Sequence, residues 1–146
     1  MNDRPQVLVV SSDLEHRGKL ASILQKRGWS PLQASRLNEC RDLLAKQKVG
    51  LVFCERRLTD GTYRELISAA QTSARKVPVV VTSRLADWDE YLEALRHGAV
   101  DLIASPCKPS DVFSAIVQAE RADHEVSTFE PSQPADRLRA VSTSGA

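Results

Sequence analysis

Residues 49–62 read VGLVFCERRLTDGT, an apolar run that ends on an acid. Leu51, Val52 and Phe53 have the character of a strand buried on both faces, and the run stops at Cys54-Glu55, in a charged loop containing Gly61. Open α/β sheets bind ligands in the crevice outside the carboxyl ends of their strands, which makes Glu55 the first residue to consider for chemistry. Its plainest role is a loop carboxylate ion-paired with Arg56, Arg57 or Arg84. Ser11, Ser12 and Asp13 close the first apolar run in the same way. A nucleophilic serine needs a neighbouring histidine oriented by an acid, and nothing in the sequence supplies one, so the two serines read as helix-capping residues. His16, His97 and His124 have no ligand spacing and read as solvated groups at helix ends or on polar faces.

Composition narrows the function further. The chain has 146 residues, 42% hydrophobic and 27% charged, which suits one globular domain plus a tail. A net charge of +1, with Lys and Arg scattered, argues for no nucleic-acid and no membrane partner. Cys40, Cys54 and Cys107 are too few and too widely spaced for a disulfide framework or a zinc knuckle, and Cys54 reads as a packing residue. With no apolar stretch of signal-peptide or membrane-span length, the expectation is a soluble cytoplasmic protein.

The elements that must position these groups alternate. Gln6–Val10 is a β-branched first strand. A helix follows over about 14–27, with Leu20, Ala21, Ile23 and Leu24 at helical spacing and Gly28 at its end. Trp29–Ala34 reads as a second strand, placed on the sheet edge by Pro31. Ser35 is the expected cap of a second helix running to about Lys46 with Leu37, Cys40, Leu43 and Leu44 inward. Thr62 is the expected cap of the third, which carries Leu66, Ile67 and Ala70. Val77–Thr82 is the fourth strand, and Asp87 with Glu90 opens a fourth helix that Gly98 stops. Val100–Ala104 is the fifth strand. Val112, Phe113, Ile116 and Val117 form the inner face of a fifth helix starting near Pro109 or Ser110. Five βα units of this kind imply right-handed crossovers and a parallel sheet covered on both faces. Residues 1–122 form this domain, and 123–146, rich in Ser, Pro, Asp and Ala, read as a flexible tail, as an extension of the last helix to about His124, or as a segment that orders against a partner.

Residues Val7–Asp13, Leu51–Gly61, Pro78–Ser83 and Gly98–Pro106 together resemble the landmarks of response-regulator receiver domains, CheY-like modules of two-component systems. LVFCERRLTDG is similar to the family's third strand and L-P-D-G loop, and GAVDLIASP to its G-A-x-D-Y-L-x-K-P segment. The resemblance implies a flavodoxin-like (βα)5 three-layer sandwich with strand order 2-1-3-4-5. It also implies an acid pair and a phosphoacceptor aspartate around Mg²⁺, a Thr or Ser switch, and a lysine. Residue by residue, the acid pair falls on Ser11 and Ser12, the phosphoacceptor on Glu55, the switch pair on Ser83 and Leu102, and the lysine on Ser105. Pro106 falls where the family commonly has a cis peptide.

Neutral hydroxyls supply no charge to a hard cation, so Mg²⁺ binding is expected to be weak or absent and no cofactor is expected. A glutamate at position 55 sets its carboxylate one methylene too far out for in-line transfer, and could act as a stand-in for a phosphorylated aspartate, with Arg84, or alternatively Lys108, as its charge partner. The expected function is a stand-alone, degenerate pseudo-receiver, not an enzyme. It would act on a protein partner such as a histidine kinase or a downstream signalling protein, or as a homodimer through the fourth helix, fifth strand and fifth helix. Trp88 is either a half-exposed packing residue or an anchor on that surface. Two alternatives stay open: a working phosphorelay receiver with an unusual site at Asp13, Glu55 or Asp60, and a small nucleotide-binding or enzymatic domain. The second lacks a Gly-rich loop after the first strand. Proteolytic removal of residues after about Asp123 should leave the melting temperature unchanged, and a loss of several degrees would contradict the tail reading.

Overall fold

In the computed structural model residues 5–73 and 76–124 are described. The elements in order are β1 (Gln6–Val10), α1 (Leu14–Gln25), β2 (Leu32–Ala34), α2 (Leu37–Lys46), β3 (Val49–Glu55), β4 (Arg57–Leu58), β5 (Gly61–Thr62), α3 (Tyr63–Thr72), β6 (Val79–Ser83), α4 (Trp88–Arg96), β7 (Asp101–Ala104) and α5 (Pro109–His124). Five strands make a parallel sheet of order β2-β1-β3-β6-β7. This is the flavodoxin-like 2-1-3-4-5 order, with β6 and β7 as its fourth and fifth strands.

Successive strand residues face opposite ways, and here both faces are apolar. Leu8, Val10, Val52, Cys54, Val79 and Val81 pack with Leu37, Cys40, Leu66, Ile67, Ala70, Tyr91 and Ala94. Their neighbours Val7, Val9, Leu51, Phe53 and Val80 pack on the other face with Leu20, Leu24, Val112, Ala115, Ile116 and Ala119. Helices α2, α3 and α4 therefore cover one side, and α1 and α5 the other. Gly98 ends α4 at φ +106, and a Cβ there would come within 2.6 Å of the Gln71 side chain, so both backbone and space call for glycine.

Several boundaries differ from the sequence expectation for identifiable reasons. β2 starts only at Leu32, because Trp29 turns back to donate its amide to Leu24 O (3.1 Å) and Pro31 has no amide to give. β6 likewise starts after Pro78. Residues 56–62, expected as loop, contain the two-rung antiparallel ladder of β4 and β5, which buries Leu58. Val117 is half exposed, not inward: the buried positions of α5 are Val112, Ala115, Ile116 and Ala119, a stripe of three- and four-residue steps that leaves Val117 outside. Ser35 does not cap α2, since Arg36 holds the N-cap position and Ser35 instead bonds Glu39 through both its amide (3.0 Å) and its hydroxyl (2.6 Å). Thr62 holds the N-cap position of α3 but its side chain makes no capping bond. Helix α5 continues to His124, and the remainder of the expected tail lies outside the described residues.

Registers Val10 with Cys54, Glu55 with Thr82 and Ser83 with Ala104 bring four strand ends level. Phe53 is fully buried. Phe53→Ala should lower unfolding free energy in urea by about 3–5 kcal/mol. Val117→Ser should stay within about 0.5 kcal/mol. Equal effects would contradict this assignment of the core.

Candidate functional site

Level strand ends place Glu55, Ser83 and Ser105 around one cleft, with Ser11 buried beside Glu55. Beyond β1 the chain must turn into α1, and Asp13 caps that helix, its Oδ1 accepting from the amides of Glu15 (3.0 Å) and His16 (3.2 Å). The capping expected of Ser11 and Ser12 is thus done by Asp13. Ser11, 1% exposed, accepts from the Asp13 amide (3.1 Å) and donates to Glu55 Oε1 (3.1 Å), which also accepts from the Ser12 amide (3.1 Å). The Ser12 hydroxyl donates to Ser35 O (3.2 Å) and accepts from the Thr59 amide (3.2 Å). Both serines therefore tie β1 to the loops beside it.

Arg84 does not reach Glu55. Its guanidinium donates to Asp13 Oδ2 (3.2 Å). The His16 amide is the main influence holding the Asp13 carboxyl below its ordinary value, and the Glu15 amide and Arg84 add to it against partial desolvation. Among the described residues Lys108 forms no ion pair, and Arg56 pairs with Glu90 (3.2 Å). Glu55 is accordingly held by the Ser11 hydroxyl and the Ser12 amide just past β1.

Asp60 is engaged by a different element. Its two oxygens accept from the Leu37 (2.7 Å) and Asn38 (3.0 Å) amides, so the β4–β5 turn caps α2 from outside the helix. Desolvation raises its carboxyl, but those amides, its own amide and Arg36 outweigh that and leave it below the ordinary value.

His16 is half-buried and not merely solvated. Nε2 lies 3.3 Å from Thr82 Oγ1 and Nδ1 lies 3.1 Å from Ser105 Oγ, so the ring bridges α1 to the ends of β6 and β7. Burial pushes its pKa down, and the charges of Glu55 and Asp13 only partly oppose that. The neutral ring suits two hydroxyl partners, each able to donate or accept. His97 is exposed and stands edge-on to Tyr63, with centroids 6.2 Å apart. His124 closes α5.

Glu90, anticipated only as a capping residue, is buried and reaches the cleft: Oε1 accepts from the Ser83 hydroxyl and from the Ala86 amide (3.0 Å). Sequence reasoning missed Glu90, His16 and Thr82. The available signal was positional, since first-turn residues of helices that follow a strand sit over the strand ends. Leu102 is buried against the α4 face, and the Ser105–Pro106 peptide is cis. Trp88, 41% exposed, stacks on Tyr91 at 6.0 Å.

The cysteines are free. Burial raises the thiols of Cys40 and Cys107 to about 12 and that of Cys54 well above the ordinary range, which makes them poor nucleophiles. The cleft itself has a volume of about 340 Å³ and is walled by Glu55, Arg56, Arg57, Thr82, Arg84 and Ser105 among others. A larger depression of about 630 Å³ between α2 and α3 lies away from the strand ends and gathers no comparable set of groups. Among the described residues no group of three His, Cys, Asp or Glu is placed to hold a metal ion.

The family model described as "Response regulator receiver domain" matches residues 7–117. The chain is 27% identical over 103 residues to the response regulator protein PilR of Pseudomonas aeruginosa, covering 70% of this chain and 23% of that protein, so it spans about a quarter of that relative's length. Among solved structures, a CheY-like receiver domain protein from Methanospirillum hungatei is similar with a TM-score of 0.72 and 20% identity, over 83% of this chain and 98% of that one. The beryllofluoride-activated NtrC4 receiver domain dimer is similar with a TM-score of 0.69 and 21% identity, over 84% and 98%.

The titratable groups of the site give a signed pH dependence. The folded value of His16 lies below its ordinary 6.5, so the stability it contributes is present above that pH and lost as pH falls through the lowered value. Between about pH 7 and about pH 5 the urea midpoint of the wild type should drop more than that of His16→Gln, which keeps hydrogen-bonding capacity without titrating. Parallel pH profiles would defeat this. Asp13 and Asp60 act in a lower window, below their ordinary 3.8.

Proposed function

The chain belongs to the response regulator receiver domain family, and from that premise we propose that it is a pseudo-receiver, a two-component signalling module that works without Mg²⁺-dependent phosphorylation. The observation that carries this reading is the bonding of Glu55, whose Oε1 accepts from the Ser11 hydroxyl and the Ser12 amide. Where a cation would need two further carboxylates, β1 ends in serines.

The donor set does not suit Mg²⁺, which demands near-octahedral oxygen ligation anchored by carboxylates. Asp13 is bonded to two helix amides and to Arg84, and Asp60 to the start of α2. These bonds also speak against a phosphorelay built on Asp13 or Asp60. Ser105, at the lysine position, brings no cation to a phosphoryl group and is engaged by His16. With Arg56 turned to Glu90 and Arg84 to Asp13, Glu55 has no ion-pair partner among the described residues, and its carboxylate borders the cleft.

Output in this reading passes through protein contact, with a histidine kinase or a downstream signalling protein as partner, and not through catalysis. The α4–β7–α5 face is the candidate surface. The NtrC4 receiver domain is described as a dimer, and here Trp88 stands half exposed at the start of α4 while Val117 lies exposed on α5. A cytoplasmic setting fits the three free cysteines and the absence, among the described residues, of a helix long and apolar enough to cross a membrane.

The test is to incubate the protein with Mg²⁺ and acetyl phosphate and weigh it intact, while titrating Mg²⁺ alone against the amide shifts around Glu55. No phosphoryl mass gain and no saturable shift at millimolar Mg²⁺ are expected. A phosphorylated peptide containing Glu55, Asp13 or Asp60 would sink the reading.

A further inference from the structure

Two hydrogen-bond donors and one guanidinium, from three separate places, converge on one carboxylate of α4. Glu90 Oε1 accepts from the Ser83 hydroxyl at the end of β6 and from the Ala86 amide in the following loop (3.0 Å), while Oε2 faces the Arg56 guanidinium just past β3 (3.2 Å). We propose that Ser83, Ala86 and Arg56 form an oxyanion receptor which the chain fills with its own Glu90, and that a small phosphate- or carboxylate-class anion competes for it and releases the first turn of α4.

Ser83 and Arg56 are set by the sheet rather than by the helix they hold. Ser83 pairs with Ala104 across β6 and β7, and the Arg56 amide donates to Thr82 O (3.1 Å), which anchors that residue to β6 as well. Glu90 is the only contribution from α4. In a capping box the third helical residue bonds back to the amide of the capping residue, and Asp87 does its half by accepting from the Glu90 amide (2.9 Å). The Glu90 carboxylate instead bonds one residue earlier, to Ala86, which sits at φ +47 although it has a Cβ. An alanine in the left-handed region is strained, and it persists where the surroundings over-determine it. The bond to Glu90 is part of what holds it there.

Access and charge favour an external competitor. The receptor opens on the cleft whose lip carries Arg56, Arg57 and Arg84, and a guanidinium presents its donors to carboxylate and phosphate alike. Binding is non-covalent and metal-free, so it stands whether or not Glu55 can be phosphorylated. Release of Glu90 would move the turn that begins with Trp88, linking the cleft to the surface of α4.

The experiment uses the full chain in EDTA at constant ionic strength and titrates inorganic phosphate, then acetate, against Glu90→Ala, reading the Ala86 amide and the Trp88 indole by NMR. Glu90→Ala, with the receptor empty, should bind phosphate saturably and about tenfold more tightly than the wild type, a difference of about 1.4 kcal/mol. Adding Arg56→Gln should abolish the response. Acetate binding without phosphate binding would restrict the ligand to carboxylates and overturn the phosphate half of the assignment. Equal responses in wild type and Glu90→Ala, or a response that survives Arg56→Gln, would overturn the whole. Should Glu90→Ala fail to fold, Arg56→Gln alone should speed hydrogen exchange at the Ala86 and Glu90 amides while leaving β3 and β6 unchanged, and unaltered exchange there would equally overturn it.

Discussion

Burial of the central strand on both faces is the constraint from which the rest of the structure follows. In β3, Val52 and Cys54 face the α2–α4 layer and Leu51 and Phe53 the α1–α5 layer, so no polar side chain fits along its length. Polarity begins only where the strand leaves the two layers, at Glu55. The same holds for β1, which turns polar at Ser11, and for β6, which does so at Thr82 and Ser83. Because these strands are parallel and in register, their polar ends converge on one side of the sheet. The cleft is a consequence of that geometry before it is a functional site.

Groups crowded together in this way must satisfy one another. Unpaired polar atoms at the margin of a core are costly, and each carboxylate near the strand ends has found donors that anchor a different segment. Asp13 holds the start of α1, Asp60 the start of α2 and Glu90 the start of α4, while Glu55 holds the end of β1. The acids that could have gathered around a cation are thereby dispersed as local anchors. Arg56 and Arg84, which charge-counting along the chain would assign to Glu55, instead pair with Glu90 and Asp13 at 3.2 Å each.

His16 and Ser105 link α1 to the end of β7 through hydrogen bonds alone. The Ser105 hydroxyl takes Nδ1 of the ring and Thr82 takes Nε2, so hydrogen bonding between neutral groups crosses from α1 to β7. Such bonds are individually modest, and they leave the cleft's positive charge at its arginine lip.

The fold was legible in the residues themselves. Continuous apolar runs, helical stripes and the Asp87 cap are local properties, and five βα units imply a parallel sheet covered on both faces with Glu55, Ser83 and Ser105 at strand ends, while the order of its strands was read from the resemblance to receiver domains. Gly98 and Asp87 act as read, because a left-handed stop and a side-chain cap involve only nearby backbone. Partners across the cleft were decided only by tertiary structure. Asp60 caps a helix that begins 23 positions earlier in the chain, Glu90 reaches back to Arg56, and His16 spans 89 positions to Ser105. A side chain's type and spacing state what it is able to bond, but which donor lies within three ångströms depends on how strands far apart in sequence are brought level, and that is set by the packing of both core layers at once.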